Sequence, residues 1–363
     1  MSDQQYMQLA LELAARAEGR TSPNPPVGAV VVCHNEVVGR GFHPKAGQPH
    51  AEIFALAEAD SKANGATLYV TLEPCNHQGR TGPCTEAIIA AGIRKVFVGT
   101  EDPNPLVAGR GIARLRAAGV EVAVGLLEDA CQHLIAPFAK HVTKGLPFVT
   151  LKMAMTLDGQ TATSSGDSRW ISNEASRTHV HEMRNRCDAI MVGIGTVLAD
   201  DPQLTTRLPQ GGHDPIRIVV DSKLQLPPSS RLLNVDSSAK VIIVTTEAAP
   251  LERAEPLRQM GAEIIVLPAM EGRVDIGLMF AELGRRNIQS VLLEGGATLA
   301  AEALRRGMID RIAIFVAPKM LGGNDGSLLF AGPGVTAMND AVQLKNTRIR
   351  LFDGDILIEG EVA

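Results

Sequence analysis

Apolar positions recur along this chain with two periods. In residues 3 to 18, Tyr6, Leu9, Ala10, Leu13 and Ala17 fall at helical spacing and polar residues fill most of the opposite face, which predicts a helix packed on a sheet. Short apolar runs then alternate with helical stretches: VGAVVVC (27 to 33), a helix after His50, ATLYVTL (66 to 72), a helix after Cys84, KVFVGT (95 to 100) and a helix near 110 to 118. That rhythm predicts an α/β/α sandwich. Gly145 and Pro147 break the periodicity before a new β-like run, FVTLKMAM (148 to 155), so the reading places a domain boundary near residue 145 and divides the chain into 1–145 and 146–363. In the second part DAIMVG (188 to 193), IRIVVD (216 to 221), KVIIVTT (240 to 246), EIIVLP (263 to 268) and SVLLEGG (290 to 296) read as strands, with RIAIFVAP (311 to 318) and DILIEGEV (355 to 362) closing the sheet. No short-period repeat or low-complexity tract interrupts the pattern.

Length agrees with two domains, because 363 residues exceed what one core usually supports. A hydrophobic share of 45% is that of a globular protein, and no apolar run reaches the ~18 residues of a membrane span. The first residues, acidic at Asp3, lack the basic region and cleavage site of a secretory signal, so the reading is cytoplasmic. A net charge of −5 and 3% aromatics offer no basic footprint or base-stacking surface, so neither nucleic acid nor membrane is an expected partner. Arginines can still cluster locally around one phosphate, because overall charge says little about a single pocket. Five cysteines, an odd number spread over both halves, argue against a disulfide framework and leave metal ligation or buried thiols. Cys33, Cys131 and Cys187 stand alone in apolar or helical stretches and read as buried thiols. Oligomeric state, a homo-oligomer included, is left open.

His50, Cys75 and Cys84 are different. HAE (50 to 52) precedes a helix, EPC (73 to 75) follows a strand, and Cys84 opens the next helix. One imidazole and two thiolates suit zinc, and catalytic zinc sites use three protein ligands and keep a fourth position open. Residues two apart on a helix diverge by roughly 200°, so His50 and Glu52 share a site only where the helix end itself meets the metal. Glu52 then reaches activated water without ligating the ion and serves as the general acid/base of a deamination. With His77 as a fourth ligand the site would instead be structural.

In the second half, Gly193-Ile194-Gly195-Thr196 and Gly295-Gly296-Ala297-Thr298 each follow a strand, and the latter precedes a helix. Such turns present backbone N–H groups to phosphates, but neither is a GxGxxG, so spacing does not name the cofactor. Arg184, Arg186 and Arg207 offer planar forks to a phosphate. Asp200 and Asp201 read as capping or turn residues before Pro202. Glu294 ends an apolar strand beside a glycine turn, where α/β ligands bind.

TSPNPPVGAVVV (21 to 32), GFHPKAGQPHAE (41 to 52), TLEPCNHQGRTGPC (71 to 84), LKMAMTLDGQTA (151 to 162), DAIMVGIGTVLADDPQLTTR (188 to 207) and LLEGGATLAAE (292 to 302) together resemble the bifunctional riboflavin-biosynthesis deaminase/reductase family. Thr81-Gly82-Pro83-Cys84 departs from that family's usual TPPC, with loop stiffness the expected effect. The resemblance implies a cytidine-deaminase-like α/β/α sandwich followed by a dihydrofolate-reductase-like α/β domain. It implies two steps on a diaminopyrimidine ribosylamine 5′-phosphate: zinc-dependent deamination, then reduction of the ribose with NADPH. By the same resemblance Ala154, Trp170, Thr196, Asp200, Ser222 and Gly296, Ala297, Thr298, Leu299, Ala300, Ala301 and Glu302 line the NADPH site. Ser168, Arg184, Leu204, Arg207 and Glu294 hold the sugar phosphate and its base, Lys152 ranks behind them, and Asn24 contacts the pyrimidine. The alternative is a tRNA or nucleobase deaminase with an appended binding domain, against which the missing basic surface counts. A non-catalytic zinc-stabilised module is a further rival, but a structural site has no need of Glu52.

Overall fold

The computed structural model describes residues 1–77, 82–105 and 107–363; Thr81, part of the departure from TPPC, lies outside them. Met1–Leu146 and Pro147–Ala363 form two compact units.

The first unit runs α1 (Asp3–Ala15), β1 (Gly28–Cys33), β2 (Glu36–Phe42), α2 (Ala51–Ala59), β3 (Thr67–Leu72), α3 (Cys84–Ala90), β4 (Lys95–Thr100), α4 (Arg110–Ala117), β5 (Glu121–Val124) and α5 (Glu128–Lys144). Among the described residues its sheet has the order β2-β1-β3-β4-β5. Successive strand side chains point to opposite faces. Ala29, Val31, Leu68 and Val70 therefore pack with Ala55, Ile88 and Leu115 from α2, α3 and α4. Val30, Val32 and Tyr69 pack with Tyr6, Met7 and Cys131 from α1 and α5. This is the α/β/α sandwich that the periodicity predicts. At Gly41 an added Cβ would stand 2.1 Å from the carbonyl oxygen of Ala51, so only glycine lets the start of α2 lie directly on β2. That contact sets the depth of the helix end carrying His50 and Glu52. Gly145 closes α5 at φ 69°, a left-handed C-cap.

The second unit runs β6 (Phe148–Thr156), β7 (Gln160–Ala162), α6 (Glu174–Asn185), β8 (Ala189–Gly193), α7 (Ile194–Asp200), β9 (Ile216–Val220), α8 (Arg231–Asn234), β10 (Val241–Thr246), α9 (Ala254–Gln259), β11 (Ala262–Leu267) and β12 (Ala269–Met270). It continues with β13 (Arg273–Val274), α10 (Ile276–Arg285), β14 (Ser290–Glu294), α11 (Ala297–Arg305), β15 (Arg311–Ala317), β16 (Ser327–Leu328), β17 (Leu344–Phe352) and β18 (Asp355–Val362). Among the described residues nine strands form one sheet, β11-β10-β9-β8-β14-β6-β15-β18-β17. Pairing is parallel from β11 through β15 and antiparallel at β18 and β17. β14 is therefore inserted between β6 and β8, a reversal of strand order beside which α/β proteins open a ligand crevice.

Three features correct the sequence reading. The first helix ends at Ala15, short of residue 18. The last sheet strand is β17, whose residues are almost all exposed, so β15 and β18 do not close the sheet. The Gly193 turn also opens a helix, α7, so both glycine turns join a strand to a helix N-terminus.

Candidate active sites

His50 is the N-cap of α2, in extended conformation and with no side-chain cap bond, so its imidazole turns out of the helix rather than back onto it. Glu52 follows in the first turn. Cys75 lies just beyond β3, and Cys84 is the first residue of α3. The four side chains thus come from two helix starts and the end of a strand. Ligand atoms of His50, Cys75 and Cys84 lie within 4.8 Å of one another, and His77 is not part of this group. His50 Nδ1 is 3.5 Å from Cys75 Sγ and 3.3 Å from Cys84 Sγ. The Cys84 backbone N–H donates to Cys75 Sγ over 3.4 Å. Hydrogen bonds from Cys84 hold Cys75 toward the thiolate, whereas donation to Cys75 and burial keep the proton on Cys84. A nitrogen and two sulfurs are the donor set that zinc takes, and catalytic zinc sites use three protein ligands.

Glu52 is only 3% exposed. Burial, aided by the negative charge of Cys75, pushes its carboxyl up to about 7. A carboxyl poised near neutrality both accepts and returns a proton, which a general acid/base requires. Asn24 meets His43 rather than any of these four. The Pro49 carbonyl only accepts, so His43 Nδ1 carries the hydrogen at 3.0 Å, Nε2 accepts, and Asn24 Nδ2 donates to it over 3.0 Å. His43 thereby fixes which face the Asn24 amide presents. Sequence reasoning missed His43 although it quoted GFHPKAG, because a lone histidine carries no signal of what it orients.

It also missed Glu73. This buried carboxylate accepts from the backbone N–H groups of Asp102, Gly109, Gly111 and Ile112 at 2.8 to 3.2 Å, tying the start of α4 to the strand end that carries Cys75.

In the second unit a cleft of about 1340 Å³ opens where α7 and α11 start, against the ends of β8 and β14. Thr196, Asp200, Ser222, Gly296, Ala297, Thr298, Leu299 and Glu302 all line it, with Ser168. Gly295 and Gly296 take φ of 75° and 83°, and a Cβ on Gly295 would stand 3.3 Å from Thr196 Oγ1. The turn is left-handed and close-packed, which suits glycine twice over.

Four residues expected at the cofactor are not on these walls. Ala300 and Ala301 face inward from α11, 0% and 7% exposed. Ala154 packs against the core of Val180 and Phe315. Trp170 is exposed, stacks on the Arg177 guanidinium at 4.5 Å and accepts from Lys319 Nζ through its carbonyl. The side chain of Leu204, expected at the substrate, is buried with Ile190, Val197 and Leu224, so a ligand there would meet its main chain. Asp201 sits in a left-handed C-cap after α7 and accepts from the Arg231 N–H, the turn role expected of it.

Arg184 and Glu294 form a bidentate pair at 2.7 and 2.8 Å, both nearly buried. Burial alone would raise Glu294, but Arg184 outweighs it and holds the carboxylate below its usual range. Burial lowers the Lys152 ammonium, against the pull of Glu294. Arg207 bonds Gln203 Oε1 and Thr205 Oγ1, each at 3.2 Å, and its backbone N–H donates to His181 Nδ1 over 3.3 Å. Burial and the charges of Arg184 and Arg207 push His181 down to about 4.

The first site, three metal-type donors beside a buried carboxyl, and the second, two helix N-termini on a parallel sheet, define a zinc deaminase joined to a dinucleotide-dependent reductase. Residues 1–100 match the cytidine and deoxycytidylate deaminase zinc-binding region, and residues 147–358 match the RibD C-terminal domain. The riboflavin biosynthesis protein RibD of Actinobacillus pleuropneumoniae is 43% identical, covering 99% of this chain and 95% of its own; that of Escherichia coli K12 is 40% identical over 99% of both. Among solved structures, Acinetobacter baumannii RibD superposes with a TM-score of 0.86 at 39% identity, covering 99% of each chain. The Thermotoga maritima diaminohydroxyphosphoribosylaminopyrimidine deaminase/5-amino-6-(5-phosphoribosylamino)uracil reductase gives 0.87 at 39%, covering 99% and 98%. The chain belongs to the RibD family, the bifunctional deaminase/reductase of riboflavin biosynthesis, with a zinc-binding deaminase domain and a reductase domain related to NADPH-dependent enzymes.

Proposed function

We propose that residues 1–145 deaminate a 2,5-diamino-6-ribosylamino-4(3H)-pyrimidinone 5′-phosphate and that residues 146–363 then reduce its ribosyl group to ribityl. The observation that carries the first step is the gathering of His50, Cys75 and Cys84 within 4.8 Å, with buried Glu52 alongside. His50, Cys75 and Cys84 would hold zinc, which when bound would supply the Lewis acidity that makes water nucleophilic at neutral pH. Glu52 is placed to take one proton from the attacking water and pass it to the ring nitrogen, then to take the second from the added hydroxyl and pass it to the amine, so that the C–N bond breaks and ammonia leaves. Asn24, locked by His43, orients the pyrimidine.

For the second step the starts of α7 and α11 and the Gly295-Gly296 turn face the cofactor's phosphates with backbone N–H groups. Thr196, Asp200, Ser222, Ala297, Thr298, Leu299 and Glu302 form the rest of that wall. Hydride transfer is the chemistry of NADPH, and the protein contributes orientation. Ser168, Arg207 and the Arg184–Glu294 pair hold the substrate, Arg207 at its phosphate.

The partner is a small molecule. All five cysteines are free, which fits a reducing compartment and the cytoplasm. Among the described residues no helix is long and apolar enough to cross a membrane. The deciding experiment supplies the diaminopyrimidine ribosylamine phosphate with and without NADPH: a deaminated ribosyl product without it and a ribityl product with it are expected. Absence of ammonia release in both arms would refute the reading.

A further inference from the structure

Four cations line the reductase cleft: Lys223, Arg273, Arg305 and Arg306. Glu302 engages two of them, Arg305 and, at 2.9 Å, Arg306. Glu271, also on the wall, adds its field to Arg306. Asp200 faces Arg169 at 4.0 Å. Lys223 and Arg273 have no ion-pair partner among the described residues, and both are exposed to the cleft.

Their proximity is built in. The Val274 backbone N–H donates to Ser222 Oγ over 3.1 Å, so Lys223 and Arg273 each adjoin one end of a hydrogen bond joining the turn after β9 to the β12–β13 hairpin. The turn itself is fixed, because Ser222 O accepts from Thr246 Oγ1 at 2.8 Å and buried Asp221 accepts from the Leu226 N–H at 2.8 Å. Having accepted, the Ser222 hydroxyl still has its hydrogen to donate. An ammonium, a guanidinium and a hydroxyl donor thus line one stretch of the wall, and although Glu271 and Glu302 share the cleft, neither pairs with Lys223 or Arg273 among the described residues, the chemistry of a phosphate dianion site.

Its position says which phosphate. In the order β14-β8-β9, the two glycine turns sit at the ends of β14 and β8, and Ser222 follows β9, one strand further on. One strand spacing is about 4.8 Å, the reach of a ribose from a pyrophosphate held at the Gly193 turn. We propose that Lys223 and Arg273, with the Ser222 hydroxyl, bind the 2′-phosphate of NADPH and set the preference for NADPH over NADH. This rests on the reading that the cleft holds the dinucleotide.

The test is equilibrium binding to the purified full chain, with NADPH and NADH followed by nicotinamide fluorescence and adenosine 2′,5′-bisphosphate as competitor against adenosine 5′-monophosphate. Lys223→Ala and Arg273→Ala should each weaken NADPH about tenfold or more, the scale of one charged hydrogen bond, and leave NADH within twofold. The double variant should lose the preference, and Lys223→Arg should keep it. Equal weakening of both dinucleotides, or no change in either, overturns the subsite. Ala297→Asp, which puts a negative charge at the start of α11, separates the two claims: it should weaken both dinucleotides, and if it weakens neither, the cleft is not the cofactor site and the subsite falls with it.

Discussion

The guanidinium of Arg184 grips both carboxylate oxygens of Glu294, and its remaining nitrogen, Nη1, donates to the Thr205 carbonyl at 3.1 Å. Every nitrogen of the fork already has a partner. Two residues expected together at the substrate therefore first satisfy each other, whereas the Arg207 guanidinium bonds the neutral oxygens of Gln203 and Thr205 and is the cation proposed for the phosphate.

A buried pair of this kind is costly to break on one side. Glu294→Ala should lower unfolding free energy by about 3–5 kcal/mol, because it strands a nearly buried cation. The double change Arg184→Met/Glu294→Leu should recover most of the loss in a denaturant titration. Equal stability of the single variant and the parent would show the pair to be solvated.

Arg207→Ala should raise the reductase KM roughly 10- to 150-fold, the equivalent of about 1.5–3 kcal/mol for a charged hydrogen bond, with little change in kcat. Steady-state kinetics on pre-deaminated substrate decide it, and an unchanged KM removes Arg207 from the site.

Glu52→Gln should keep zinc and lose about 10²- to 10⁴-fold in deamination rate, because the amide cannot shuttle the proton. Metal content by atomic absorption and ammonia release are the two readouts. Loss of zinc in this variant would mean that Glu52 is itself a ligand.

Zinc removal by a chelator should abolish deamination and leave reduction of pre-deaminated substrate intact, with activity restored by added zinc. Parallel loss of both activities would argue against separate sites.

His181 gives a pH prediction with a definite sign. Its folded value of about 4 lies below the ordinary 6.5, so the unfolded chain takes up a proton that the native protein refuses. Stability from this group is complete above pH 6.5 and declines as pH falls toward 4. His181→Asn should flatten the fall in urea midpoint between pH 7.5 and 5, and an identical slope would show that this imidazole titrates normally.

How much of this was legible in the sequence follows from how local each signal is. His50, Glu52, Cys75 and Cys84 could be read because they belong to helix starts and one strand end, and ligand chemistry restricts the residue types. The apolar runs named the buried strands for the same reason. β2 was missed because glycines occupy its inward positions Gly39 and Gly41, where a helix, not a side chain, fills the space. α5 was missed because Pro137 interrupts its pattern, and β17 because an edge strand exposed on both faces needs no alternation. The Arg184–Glu294 pair joins positions 110 residues apart, and Glu73 meets donors 29 to 39 residues away. Neither separation leaves a mark on a one-dimensional pattern.

Within the EPC run, then, two neighbours do unrelated jobs. Cys75 belongs to the ligand group, while Glu73 gathers four amide hydrogens from the segment between β4 and α4. That latch uses no atom of the ligand group, so the strand end beneath Cys75 is moored to α4 by the chain's own hydrogen bonds, independently of what the thiol holds.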